Sequence, residues 1–178
     1  FHPSRRDDGL RAAWGADASA PVVLYVGRIA PEKNLDLAID AFRAIQQQLP
    51  QARYVWVGDG PARAALMAAH PDFIHAGVQR GEALGRHYAS ADLFPFPSLS
   101  ETFGNVILEA LAAGLPVVAY AQGAARDHLV DGINGYGIEP GNAPAFIDAA
   151  VKLASNPALI RYMGRAAHVG MAGLSPEA

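Results

Sequence analysis

Apolar strand-like runs and helix-periodic segments take turns along this chain, and that alternation is the strongest limit on its fold. Val22-Val23-Leu24-Tyr25-Val26 is a β-branched apolar run closed by Gly27, the pattern of a strand buried on both faces. Leu35 to Gln48 follows with apolar residues at helical spacing, and Asn34 stands where an N-cap is expected. A second strand, Tyr54–Val57, runs into Gly58-Asp59-Gly60-Pro61, and Pro61 suits the first position of a helix reaching about His70. The pattern continues with a short strand near Phe73-Ile74, a helix over about Glu82–Ser90 and a strand over Leu93–Phe96. A helix from Asn105 to Ala113 is stopped by Gly114, and a strand covers Pro116–Tyr120. A short helix near Arg126–Val130, a turn at Asp131-Gly132, a strand near Gly135–Ile138 and helices over about Ala143–Ser155 and Pro157–Val169 complete the chain. Such alternation predicts an α/β fold: a Rossmann-like parallel sheet with helices on both faces and ligands at the carboxyl ends of the strands. Residues 1–20, polar and Ala-rich, read as an arm with one helical turn around Leu10–Trp14, and residues 21–178 as a single domain.

Composition removes several classes of function. Hydrophobic residues make up 51% and charged residues 17% of the 178, which excludes an intrinsically disordered chain. A formal charge of −3 offers no basic face for nucleic acid. Without cysteine there is no disulfide framework, thiolate metal site or cysteine nucleophile. The longest uncharged stretch, Ala110 to Ala125, is interrupted by Gly114, Pro116 and Gln122 and is too short to span a bilayer. The six histidines are scattered without ligand spacing, so no metal site is expected. A chain that opens on Phe1 rather than Met reads as a processed or excised piece.

Two segments that follow strands carry residues suited to chemistry. In Gly27-Arg28-Ile29-Ala30-Pro31-Glu32-Lys33, the glycine permits a sharp turn, and Arg28 and Lys33 place two cations over the sheet edge. Arg suits bidentate phosphate contacts and Lys a point-charge contact; a solvated loop is the alternative. In the second segment Glu101 and Glu109 flank a strand-to-helix loop that contains Gly104, where backbone N–H groups at a helix start could meet an anion. Glu109 either faces polar ligand groups such as sugar hydroxyls or complements the helix dipole. Glu101 is either a ligand contact or an exposed loop acid. Gly58-Asp59-Gly60-Pro61-Ala62-Arg63 approaches a dinucleotide fingerprint, but Arg63 takes the third glycine position. No P-loop or Gly-x-Ser-x-Gly motif occurs.

Together these segments resemble the retaining nucleotide-sugar glycosyltransferases of group 1 (family 4 type), which have the GT-B fold. The likeness is to their C-terminal, donor-binding domain. It rests on Glu101 and Glu109 within Phe96-Pro97-Ser98 to Glu109-Ala110, followed by Gly114-Leu115-Pro116-Val117-Val118-Ala119. Gly27-Arg28 with Glu32-Lys33, Gly58-Asp59-Gly60-Pro61, Ala91-Asp92, and Asp131-Gly132 with Asn134-Gly135 extend it over most of the chain. The resemblance implies that Arg28 and Lys33 bind the donor diphosphate and stabilise the leaving group, with Gly27 forming the turn that carries them. Backbone amides around Phe103, Gly104, Asn105 and Val106 would complete the phosphate cradle. Glu101 would contact donor-sugar hydroxyls, Glu109 would hold the ribose, and Gly77-Val78 would lie close to the base. No metal or other cofactor is expected, because the two cations supply the charge stabilisation.

The expected substrate is a GDP- or UDP-sugar, transferred with retention to a glycan or lipid-linked acceptor. Ala124-Ala125-Arg126-Asp127-His128 resembles an Ala-Ala-Arg-Glu-His stretch of the mannosyltransferase branch, with Asp127 in place of Glu. This leans the donor toward GDP-mannose. Phe1-His2-Pro3 resembles the segment after the interdomain hinge, and Leu174–Ala178 precedes the final helix that crosses back. The chain therefore reads as the donor half of an enzyme that lacks its N-terminal acceptor domain, binding donor without turnover. The resemblance implies a cytoplasmic location, with peripheral attachment at the inner face of the membrane through the missing half. A non-catalytic nucleotide-sugar-binding module and a sugar-nucleotide epimerase on the same scaffold are the alternatives. Epimerases as a rule lack the Glu101-Thr102-Phe103-Gly104 pattern.

Overall fold

The computed structural model of the chain describes residues 1–99 and 105–173. Among the described residues, six strands alternate with helices. The strands are β1 (Val22–Val26), β2 (Arg53–Val57), β3 (Ile74–Gly77), β4 (Phe94–Phe96), β5 (Val117–Tyr120) and β6 (Gly135–Ile138). The helices are α1 (Asp8–Ala13), α2 (Leu35–Gln48), α3 (Arg63–Ala69), α4 (Gly81–Ser90), α5 (Asn105–Ala112), α6 (Gly123–His128), α7 (Ala143–Ala154) and α8 (Pro157–Ala172). Short 3₁₀ turns lie at Pro3–Arg5 and Pro31–Lys33. No helix of the described residues is long and apolar enough to cross a membrane.

All strand pairs are parallel, in two runs, β1-β2-β3 and β4-β5-β6. A parallel bridge between Val23 and Leu93 joins them, reinforced by Asp92 N donating to Val22 O at 2.8 Å and Leu24 N to Leu93 O at 3.2 Å. The spatial order is therefore 3-2-1-4-5-6, the doubly wound arrangement expected from the sequence. Right-handed crossovers that wind outward in opposite directions from β1 and β4 place helices on opposite faces. Accordingly α2 packs on α7, while α5 packs on α4, α6 and α8.

Burial of both sheet faces explains the apolar runs. All five residues of β1 are buried. Tyr25 stacks on Trp56 with ring centroids 4.5 Å apart, and Tyr54 and Phe73 extend this aromatic layer toward Phe42 of α2. Beneath it, α2 buries Leu35, Ala38, Phe42 and Ile45 on one stripe.

Several boundaries differ from the sequence pattern. Pro61 and Ala62 form a turn before α3, so the helix starts two residues later than its proline signal suggests. Phe73 enters the core ahead of β3, and the strand runs on to Gly77. The helix expected near Arg126–Val130 starts earlier, at Gly123. Asn34 precedes α2 but does not cap it with its side chain, because its backbone is left-handed, with φ 57° and ψ 46°.

The largest difference concerns residues 1–20, whose polar composition suggests an arm. They dock onto the domain and bury Trp14, Ala16, Ala20 and Arg11. The Arg11 guanidinium, 3% exposed, donates to Ser90 O at 2.8 Å and Asp92 Oδ2 at 3.1 Å, and to Asp17 O and Ala20 O at 2.9 Å each. Asp92 Oδ2 also accepts from Val22 N at 2.8 Å, and its other oxygen accepts from Arg6 at 3.2 Å. One ion pair thus ties the N-terminal segment to the starts of both β1 and β4. Removing one partner of a buried pair strands the other. Arg11→Ala is expected to cost about 3 kcal/mol of stability, read from urea denaturation; a loss below about 1 kcal/mol would show that the pair is dispensable.

Candidate functional site

The carboxyl ends of β1, β2 and β3 form one continuous surface because glycines let their backbones touch. Gly27 ends β1 at φ +148°, a region open to glycine, and its N–H donates to Val57 O at 3.0 Å. Gly58 ends β2 at φ +135°, where a Cβ would stand 2.0 Å from Gly27 O. No other residue type fits there without pushing the two loops apart. Ile29 N donates to Asp59 O at 2.9 Å, and Gly58 N donates to Gly77 O at 2.9 Å, which brings in the loop after β3. The buried Tyr25 hydroxyl donates to Arg28 O at 2.7 Å and so fixes the backbone that carries the first cation.

A cleft of about 300 Å³ opens over this surface, lined by Gly27, Arg28, Gly58, Asp59, Val78 and Gln79 among others. The structure thus unites Gly27 and Arg28 of the loop after β1 with Val78 of the loop after β3, and Gly58 and Asp59 of the loop after β2 join them. Gly77, the last residue of β3, does not line the cleft. Val78 is exposed, while Gln79 is anchored by its Nε2 donating to Ala76 O at 2.7 Å. The Arg28 side chain is exposed and pairs with Glu32 at 3.1 Å. Lys33 closes the 3₁₀ turn after Pro31 and does not line the cleft.

Across the junction between β1 and β4, the second segment starts at Pro97. Asn105 opens α5 and is exposed, Val106 is half-buried, and neither lines the cleft. Glu101, Phe103 and Gly104 lie outside the described residues. Glu109 sits one turn into α5, half-buried, and its Oε2 accepts from the Tyr88 hydroxyl of α4 at 2.9 Å. Burial pushes its carboxyl pKa up, opposed by that hydrogen bond and by the amino group of Phe1. Its spacing from Glu101 draws attention to Glu109, but nothing in the sequence points to Tyr88 as its partner.

A larger cavity, about 950 Å³, opens at the other end of the sheet beside Pro21, Ala91 and Asp92. None of the candidate residues lines it. Among the described residues, no group of three or more His, Asp or Glu side chains is placed to hold a metal ion.

The family model described as glycosyl transferases, group 1, matches residues 20–156, which span both candidate segments. The chain belongs to this family. A GDP-mannose-dependent alpha-mannosyltransferase of Mycobacterium tuberculosis (strain CDC 1551 / Oshkosh) is 43% identical over 129 residues, covering 71% of this chain and 32% of the relative. The chain thus spans about a third of that relative's length. Sucrose-phosphate synthase from Thermosynechococcus elongatus superposes with a TM-score of 0.81 at 26% identity, over 98% of this chain and 46% of that one. The Anabaena protein Alr3699/HepE, solved with UDP and glucose, gives 0.79 at 25% identity, over 97% of this chain and 50% of that one. These neighbours share the GT-B glycosyltransferase fold.

In this group 1 transferase chain, the environment of Glu109 has a consequence that stability can report. A carboxyl whose folded pKa is raised above the ordinary 4.5 favours the fold below that value. That contribution is lost as pH rises through the raised folded pKa, so ionised Glu109 burdens the fold at neutral pH. Glu109→Gln is expected to raise Tm at pH 7.5 by roughly 1–3 °C, allowing for solvent screening, with the gain vanishing near pH 4. Thermal melts at the two pH values check this; a pH-independent change would rule out the ionisation as its cause.

Proposed function

We propose that this chain binds the diphosphate-sugar donor of a retaining glycosyl transfer, with GDP-mannose as the donor. The observation that carries the reading is the meeting of Gly27, Arg28 and Val78 in one cleft beside the β1–β4 switch point of a 3-2-1-4-5-6 sheet. Doubly wound sheets bind nucleotides at such a crevice. Transfer breaks the bond between the anomeric carbon and the diphosphate oxygen, and negative charge collects on the departing diphosphate. Arg28 and Lys33 neutralise that charge, the guanidinium by paired N–H bonds and the ammonium as a point charge. The exposed Arg28–Glu32 pair is worth about 0–1 kcal/mol, so a diphosphate displaces Glu32 at small cost.

The remaining roles rest on the resemblance: Gly77 and Val78 border the base, the amides of Asn105 and Val106 at the start of α5 face phosphate oxygens, and Glu109 accepts from the ribose hydroxyls. Glu101 contacts the hydroxyls of the donor sugar and Phe103 and Gly104 contribute to the phosphate cradle, as the resemblance implies. The cationic pair makes a divalent metal unnecessary. The acceptor attacks from the face the diphosphate leaves, which preserves the anomeric configuration. Because a second domain has to form the acceptor side, this chain alone holds donor without transferring sugar. GDP-mannose is favoured by the 43% identity to a GDP-mannose-dependent relative and by the stretch Ala124–His128. The HepE complex shows that a similar fold accommodates UDP, so UDP is the competitor to test.

Isothermal titration of the chain with GDP, UDP, GDP-mannose and UDP-glucose discriminates these cases. Saturable binding of GDP and GDP-mannose, tighter than of the uridine compounds, is expected. Lys33→Ala should weaken it about tenfold or more, while His128→Ala on α6 leaves it unchanged. The absence of detectable binding for all four compounds would overturn the reading, and tighter uridine binding would overturn the choice of base.

A further inference from the structure

Among the described residues, Asn34 is the one non-glycine residue with positive φ. The left-handed region is costly for side chains other than Asn and Asp, and glycine is its default occupant. At the first residue before α2 an asparagine there would ordinarily serve as a cap, yet its side chain makes no capping bond. It turns instead across the β1–β4 junction, where Nδ2 donates to Pro97 O at 3.1 Å. On the far side, Gln122 Nε2 donates to the adjacent carbonyl, Ser98 O, at 3.3 Å.

These contacts fall where the sheet ladder has run out. The β4–β5 register ends at Phe96 and Ala119, and among the described residues β1 and β4 share one bridge, at Val23 and Leu93 near their starts. Toward the carboxyl ends, the junction is closed by side chains rather than by backbone pairing. Asn34 also directly follows Lys33, so its anchorage fixes where the second cation stands relative to β4.

We infer that Asn34 is a positioning residue for donor binding: through Pro97 it locks the loop bearing Lys33 to the carboxyl end of β4. Gln122 supports the same segment of β4 from the other side. This rests on the donor-binding reading above. Asn34→Gly keeps the left-handed backbone and removes the amide. Asn34→Asp keeps the same tolerance and sets a carboxylate oxygen against the Pro97 carbonyl.

Titration of the chain with GDP tests the inference alongside thermal melts. Asn34→Gly is expected to weaken GDP binding about tenfold with Tm changed by no more than about 2 °C. Asn34→Asp should weaken it further. If Asn34 acts through Lys33, adding Asn34→Gly to Lys33→Ala should cost less than about twofold beyond Lys33→Ala alone. Should the glycine variant fail to fold, Gln122→Ala is expected to show the same pattern at about threefold. Unchanged GDP affinity in Asn34→Gly, or full additivity with Lys33→Ala, would overturn the positioning role. A wild-type chain that binds no nucleoside diphosphate would overturn the donor-binding reading itself, and this inference with it.

Discussion

The seam between β1 and β4 governs this structure. A doubly wound sheet reverses its winding there, so no crossover helix directly connects the two strands, and the ladder between them is short. Strand β4 is itself only Phe94–Phe96. The two halves are held by polar groups placed at opposite ends of the junction. At the starts of the strands, Asp92 gathers Arg11, Arg6 and the Val22 amide. At the carboxyl ends, Asn34 takes the Pro97 carbonyl across the junction, while Gln122 after β5 takes the Ser98 carbonyl within the second half. A buried guanidinium is costly unless its donors are satisfied; Arg11 meets that condition with four acceptors from two stretches of chain. The N-terminal residues thereby become part of the domain's fold.

Above the seam, backbone proximity rather than side-chain bulk shapes the candidate site. Gly58 lies so close to Gly27 O that a methyl group would collide with it. The loops after β1 and β2 can therefore share hydrogen bonds, and with the loop after β3 they present one wall. Charge is then added sparingly. The chain is net negative overall, yet Arg28 is held at the lip of the cleft by its own backbone carbonyl bond to Tyr25. Its exposed partner Glu32 keeps the guanidinium solvated and loosely paired. A single exposed, paired guanidinium at a cleft lip is unlike the extended basic face that nucleic acid requires.

The fold was largely legible because burial on both faces leaves continuous apolar runs. β1, α2 and β6 occur where the periodicity placed them. Helix α3 was read too early because Pro61 is equally at home in a turn. The packing of the first twenty residues is not legible for a physical reason: Arg11 makes its decisive contacts with Ser90 and Asp92, 79 and 81 positions away, and such a pairing leaves no periodic trace. The site was legible as residue types, since Gly27 and Arg28 follow a strand and Val78 follows another. What the chain does with Asn34 was not. Its place before a helix gives the signal of a cap, and only the left-handed backbone reveals that the amide is spent on β4. The hydrogen bond between Tyr88 and Glu109 is similarly hidden, because it joins two helices that are unrelated in local sequence.

These features bear on how donor and fold support each other. The proposed contacts are divided between the half-sheets: Gly27, Arg28, Gly77 and Val78 belong to the β1–β2–β3 side, whereas Asn105, Val106 and Glu109 belong to the helix after β4. A bound nucleoside diphosphate therefore bridges the seam that the protein itself closes with a few polar side chains. Ligand that binds only the folded arrangement stabilises it by mass action, and here that stabilisation falls on the junction with the least backbone pairing. Glu109 adds the opposing term. Its half-buried carboxylate weakens the empty chain near neutral pH but gives α5 an acceptor that ribose hydroxyls can use. On the proposed reading, the ionisable group kept partly dry beside the seam is thus the same group that a bound ribose would satisfy.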